Sequence, residues 1–199
     1  MTEPVEDFYS RNAAKYDDSH SKDNWSEGFR ENLSEFQEKV EGTVVLDAGC
    51  GPGAVTEFLS KEGFEVTGID IAEGMVEYAR RNSEGCFKQM NILNLEFADA
   101  KFDGVWCGST IFFLEKEGMW EALSEFRRVL KDEGVLYVDF KEGDGDFEKN
   151  KWDGEVSERR IPESEARRML SEKGFQVLKF IEWENSRGAN YLEFICRKK

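Results

Sequence analysis

The chain has 199 residues and a formal net charge of −15, with 39% hydrophobic and 35% charged residues. That length fits one domain, and the apolar share supports a packed core, so disorder of the bulk is excluded. No run approaches the roughly 18 apolar residues of a membrane span, and the acidic start Met1-Thr2-Glu3-Pro4-Val5-Glu6-Asp7 lacks the apolar stretch of a secretory signal.

The first 41 residues hold Phe8-Tyr9, Tyr16 and Trp25 in a polar stretch, then Phe29, Leu33, Phe36 and Val40 at helical spacing. The stripe predicts an amphipathic helix packed on the core. Tyr9, Tyr16 and Trp25 lie off it and suit a lid. From residue 43 strands and helices alternate. Thr43-Val44-Val45-Leu46 is a β-branched run ending at Asp47, and Val55, Phe58 and Leu59 mark a helix face ending near Gly63. Phe64 to Ile69 is a second strand ending at Asp70, and Met75, Val76 and Ala79 mark a second helix. Cys86 to Met90 and Phe102 to Cys107 read as strands three and four. Trp120, Leu123, Phe126 and Leu130 stripe a longer helix, and Val135-Leu136-Tyr137-Val138 is a fifth strand. Lys141 to Arg160 is rich in Gly, Asp, Glu and Lys and reads as a long functional loop. A helix bearing Ala166, Met169 and Leu170 follows. Two final strands, Phe175 to Trp183 and Tyr191 to Cys196, are joined by the turn-rich Glu184-to-Ala189 segment. Strands on so short a connection run antiparallel. The expectation is an α/β fold: a seven-stranded, mostly parallel sheet with one antiparallel strand and helices on both faces.

The charge is uneven. Residues 1–100 carry 9 Lys/Arg against 21 Asp/Glu, and residues 101–199 carry 18 against 21. Such a field repels phosphate backbones, so nucleic acid is a disfavoured partner. The doublets Arg127-Arg128, Arg159-Arg160 and Arg167-Arg168 sit among glutamates and read as mixed-charge surface. Four scattered cysteines (50, 86, 107 and 196) and a single histidine, His20, offer no metal-ligand spacing. They read as free thiols in a reducing, cytoplasmic setting.

The chemistry is carried by Val45-Leu46-Asp47-Ala48-Gly49-Cys50-Gly51-Pro52-Gly53, between a strand and a helix. Glycines there let the backbone approach a ligand, and the helix N-terminus offers free N–H groups. Gly49, Gly51 and Ala54 satisfy G-x-G-x-x-A, and Asp70 follows at the distance of a ribose-binding acid, so NAD is one reading of the loop. Three details favour a different adenosyl ligand. Asp47 puts an anion before the glycines, Pro52 removes an N–H from any phosphate cradle, and the terminal strand is antiparallel.

These residues resemble motif I of the class I S-adenosylmethionine-dependent methyltransferases. Gly68-Ile69-Asp70-Ile71-Ala72-Glu73-Gly74-Met75 resembles that family's second motif. Phe102-Asp103-Gly104-Val105-Trp106-Cys107 and Arg128-Val129-Leu130-Lys131-Asp132-Glu133-Gly134-Val135-Leu136 resemble its later ones. The resemblance covers residues 40–140 and implies a Rossmann-like domain over 42–199 with an N-terminal helical lid over 1–41. It implies that Asp47, Ala48, Gly49, Cys50, Gly51 and Gly53 hold the methionine part of S-adenosylmethionine. Asp70 would accept from the ribose hydroxyls, a bond worth about 1.5–3 kcal/mol to a charged acceptor. Ile71 and Met75 would pack beside the adenosine, and Asn91 with Ile92 would meet the adenine, Asn91 standing where the family often has Asp. Cys107 and Ser109 would line the cofactor from the fourth strand.

Methyl transfer is an in-line displacement, so positioning can supply much of the rate, about 7–11 kcal/mol at best. No strong base constellation is visible in the sequence. The stretch after the fourth strand, Gly108-Ser109-Thr110-Ile111-Phe112-Phe113, lacks the (D/N)-P-P-(Y/F) tetrapeptide typical of relatives that methylate base or amide amino groups. A small-molecule acceptor is therefore expected, bound by Tyr9, Tyr16, Trp25, Phe112 and Lys141. An RNA methyltransferase or an NAD-dependent oxidoreductase is the alternative. No metal and no membrane is implied.

Overall fold

The computed structural model describes residues 4–20, 22–152, 154–185 and 188–199. The first three residues of the acidic start and the middle of the Glu184-to-Ala189 connection lie outside the described residues. Seven helices are described: α1 (Val5–Arg11), α2 (Ala13–His20), α3 (Glu27–Lys39), α4 (Ala54–Lys61), α5 (Glu73–Asn82), α6 (Lys116–Val129) and α7 (Glu163–Glu172). Nine strands form one sheet: β1 (Val44–Ala48), β2 (Glu65–Asp70), β3 (Cys86–Gln89), β4 (Phe102–Cys107), β5 (Leu130–Glu142), β6 (Gly145–Lys151), β7 (Gly154–Ile161), β8 (Phe175–Glu184) and β9 (Asn190–Lys198).

The seven expected strands are all present. Neighbours run β3-β2-β1-β4-β5 in parallel, then β9 antiparallel to both β5 and β8. The order reverses between β1 and β4, and open α/β sheets bind ligands outside the carboxyl ends of strands at such a point.

The sheet has two strands more than expected. The Lys141-to-Arg160 stretch is not a loop: β6 and β7 pair antiparallel from Gly145↔Arg160 to Lys151↔Gly154. Lys141 of β5 pairs with Tyr191 on one edge and with Arg160 on the other. Since β4 ends its pairing at Cys107↔Val138, the hairpin occupies that edge of β5 beyond the end of β4. It therefore overhangs the carboxyl edge. The buried pair Lys141–Glu158 ties it down.

Two apolar layers hold the sheet. On one face α3 and α4 bury Leu33, Phe36 and Leu59 against Val45, Trp106, Tyr137 and Ile195. On the other, α6 and α7 bury Leu123, Phe126, Met169 and Leu170 against Leu46, Val105, Val138 and Phe194. The Phe29-to-Val40 stripe thus packs as its spacing predicts, with Phe29 and Phe36 edge-on to Trp106. Ser26 caps α3 by accepting the Phe29 N–H at 3.1 Å.

Helices α1 and α2 lie over the carboxyl edge. Gly74 permits their approach, since a Cβ there would stand 2.1 Å from the Ser10 carbonyl. Its N–H bonds Ser10 Oγ at 3.2 Å, and Tyr78 donates to Asp17 at 3.0 Å. Phe8, fully buried, stacks on Trp152 of the hairpin at 5.8 Å. The N-terminal helices and the hairpin therefore meet above the site.

Candidate active site

β1 delivers Asp47 to the sheet edge and the chain turns sharply into α4. Gly49 sits at φ +83°, and a Cβ there would fall 1.9 Å from Thr110 Oγ1. Gly51, at φ +51°, differs: a Cβ would meet only the Tyr16 ring, at 3.8 Å, so it would project into open space. That space belongs to the cavities that flank the loop. The Gly51 N–H is held by Asp70 at 2.9 Å, and the other Asp70 oxygen accepts the Ala72 N–H at 2.9 Å. Asp70 thus fixes the loop while still facing the cavity. Burial raises its carboxyl above the usual range.

Two cavities flank this loop and share Tyr16, Gly49, Gly51 and Ser109. The first, ≈ 320 Å³, is lined by Asp70, Ile71, Met75, Asn91 and Ile92 along the ends of β2 and β3, and is roofed by Tyr9 and Tyr16. The second, ≈ 380 Å³, runs past Asp47, Cys50 and Gly108 towards β5 and β9, under His20 and Trp25. Burial pushes the Asp47 carboxyl up to about 7, though it accepts the Thr56 hydroxyl at 2.7 Å. Among the described residues, no lysine or arginine lines either cavity. A pyrophosphate would find no counter-charge here, whereas a sulfonium would find Asp47 and Asp70.

Other expected residues lie behind these walls. Ala48 and Cys107 are buried in the main core, and Gly53 starts α4 at φ +93°, where a Cβ would meet Phe87 at 2.7 Å. Phe112 is also in the core, and its neighbour Phe113 faces the first cavity instead. Lys141 lines neither cavity. Its ammonium pairs with Glu158 and lies 4.3 Å from the Phe112 ring centroid. The arginine doublets are engaged by acids: Arg128 with Glu125 and Asp99, Arg159 with Glu115 and Asp146, Arg168 with Glu165.

Sequence reasoning missed Asp139, Tyr137, Tyr191 and Glu193, which line the second cavity from β5 and β9. Asp139 and Glu193 are 3% and 5% exposed and pair directly across the two strands. Burial and the facing Glu193 charge push Asp139 up to about 7, and burial likewise raises Glu193. The available signal was one acid in each of two otherwise buried, apolar strands, Tyr137-Val138-Asp139-Phe140 and Leu192-Glu193-Phe194.

Residues 46–138 match the family described as a methyltransferase domain. The chain is 33% identical over 141 residues to the protein YqeM of Bacillus subtilis (strain 168), covering 66% of this chain and 55% of that one. It is 36% identical over 115 residues to a malonyl-[acyl-carrier protein] O-methyltransferase of Erwinia pyrifoliae, covering 57% and 43%. The chain thus spans about half the length of these curated relatives. Among solved structures it superposes with a TM-score of 0.74 on the 1,6-didemethyltoxoflavin-N1-methyltransferase of Burkholderia thailandensis. That match is 20% identical and covers 100% of this chain and 92% of that one. The sheet order, the glycine loop pinned by the acid of β2 and the match that begins at β1 agree. Residues 46–138, just under half of the chain, are thus similar to a methyltransferase domain, and the chain shares the fold of the superposed enzyme.

Proposed function

We propose that this protein binds S-adenosylmethionine and transfers its methyl group to a small-molecule acceptor. The observation that carries this reading is the pair of joined cavities on one glycine loop, acid-lined and without a lysine or arginine among their described lining residues. The fit is chemical as well as spatial. Asp70 offers a charged acceptor to ribose hydroxyls, Asn91 an amide to the adenine edge, and Ile71, Met75 and Ile92 an apolar wall. Asp47, Gly49 and Ser109 would hold the methionine part. When bound, the cofactor supplies an electrophilic methyl carbon whose bond to sulfur breaks as the new bond forms, the electron pair staying on sulfur.

The chain's own part is positioning. Tyr9 and Tyr16 would cover the adenosyl cavity, and Phe8 against Trp152 would hold the roof to the hairpin, excluding water. On this reading α1 and α2 are the mobile part of the 1–41 lid, with α3 as its anchor on the sheet. Trp25 borders the acceptor side, packed on Phe29 and Phe58. A cytoplasmic location is supported by the four cysteines, each a free thiol. No described helix is long and apolar enough to cross a membrane.

Calorimetric titration with S-adenosylmethionine, S-adenosylhomocysteine and NAD tests the reading. Binding of both adenosyl sulfur compounds without NAD is expected. Binding of NAD alone overturns it.

A further inference from the structure

The second cavity holds a charge imbalance that a cofactor loop does not require. Asp139 and Glu193 stand directly opposite each other on β5 and β9. Like charges so placed weaken a sheet, and both side chains are at least nine-tenths buried. Glu193 is engaged: it accepts the Trp183 indole N–H at 2.6 Å and the Asn32 amide. Asp139 is not. It accepts the Ser109 N–H at 2.7 Å, and no other residue's side chain or backbone donates to it among the described residues. Lys141, two residues along its strand, attracts Asp139 from a distance, but its ammonium bonds Glu158 directly. The carboxylate of Asp139 borders the cavity, so its missing partner belongs to whatever fills that space.

The walls point to the same ligand chemistry. Trp106 stacks on Tyr137 at 3.7 Å, and Trp183 on Tyr191 at 4.7 Å, with the rings nearly parallel in both pairs. All four border the cavity. Aromatic surfaces beside a desolvated carboxylate favour a cation and disfavour an anion.

We propose that this cavity takes the methyl acceptor as a protonated amine, held by the two aromatic pairs, with Asp139 binding the ammonium group and then removing its proton. The inference rests on the methyltransferase reading above and names the acceptor class for the same site. One N–H proton passes to the Asp139 carboxylate, the N–H electron pair stays on nitrogen, and a neutral amine with a free lone pair results. The proton returns to water when product leaves. Asp139, held up to about 7 by burial and Glu193, can take and release a proton near neutrality.

The test compares three probes of one shape on protein saturated with S-adenosylhomocysteine: phenethylamine, 2-phenylethanol and phenylacetate. Calorimetry in mildly alkaline buffer should show the amine binding at least about tenfold more tightly than the alcohol. The anion should bind more weakly than either. Asp139→Asn should remove the amine's advantage while the alcohol binds as before. Glu193→Gln should reduce it in part and serves if the first variant does not fold. Equal binding of amine and alcohol, no binding of the amine, or an amine that binds the cofactor-free protein and is displaced when S-adenosylhomocysteine is added each overturns the proposal. In the last case Asp139 serves the cofactor's own ammonium group. All three leave the methyltransferase reading standing, which fails only if S-adenosylhomocysteine itself does not bind.

Discussion

Asp70→Ala removes the acceptor that joins the glycine loop to the cofactor cavity. The wild-type carboxylate takes the Gly51 N–H on one oxygen and the Ala72 N–H on the other, each at 2.9 Å. Further lone pairs remain for the ribose hydroxyls. A hydrogen bond to a charged group contributes about 1.5–3 kcal/mol, and about 1.4 kcal/mol is a factor of ten in affinity. The alanine variant also frees the Gly51 amide beside the ligand. S-adenosylhomocysteine binding should therefore weaken by about 10- to 100-fold in calorimetric titration. Asp70→Asn keeps one carbonyl acceptor and should lose less. An Asp70→Ala protein that unfolds cooperatively in urea yet binds within about twofold of wild type would refute the role given to this residue.

Gly51→Leu should cost about 1–2 kcal/mol in urea titration for the left-handed φ of +51°, yet still fold because a Cβ there meets nothing closer than Tyr16 at 3.8 Å, and it should fill the cavity and abolish S-adenosylhomocysteine binding. Phe36→Ala should lower stability by about 3–5 kcal/mol in urea titration, as a fully buried ring packed edge-on to Trp106 is lost. Asp47 and Asp139 both hold their protons more tightly folded than unfolded, at about 7 against 3.8. Their contribution to stability is therefore full below about pH 4 and is lost as pH rises through about 7. The groups facing Asp139 are Glu193 on β9, Lys141 on β5, the Cys107 thiol and the Tyr16, Tyr137 and Tyr191 hydroxyls, and Asp47 faces Asp70, the Cys50 and Cys107 thiols and the Tyr16 hydroxyl. Asp139→Asn should flatten the urea midpoint between pH 5 and pH 8; an unchanged slope counts against the shift. For the same reason S-adenosylmethionine, a cation at sulfur, should gain on S-adenosylhomocysteine as pH rises from 6 to 8 in competition binding. A constant ratio would separate these carboxylates from the sulfonium.

The parallel half of the sheet was legible because its signals are local. β-branched runs ending in Asp47 and Asp70, glycines after the first and apolar helical faces between them all lie within short windows. The hairpin was not legible because its strands are held by pairing rather than by an apolar run. Val156 and Ile161 are buried, but Glu158 between them is buried too, and its compensation comes from Lys141 on another strand. The same limit hid the far wall of the second cavity. Asp139 and Glu193 lie far apart in sequence, and only the antiparallel register of β5 with β9 places them face to face. Phe112 and Phe113 show how fine the distinction becomes. Adjacent on a 3-10 turn, one joins the core and the other the cavity, and periodicity over so short a segment cannot choose between them.

The central claim is methyl transfer to a small molecule. Incubating the protein with methyl-labelled S-adenosylmethionine and a metabolite extract, then separating small molecules from protein and RNA, tests it most directly. The account predicts label in a low-molecular-weight product and S-adenosylhomocysteine formed in equal amount. Label that stays on the cofactor, or that enters RNA instead, would contradict it.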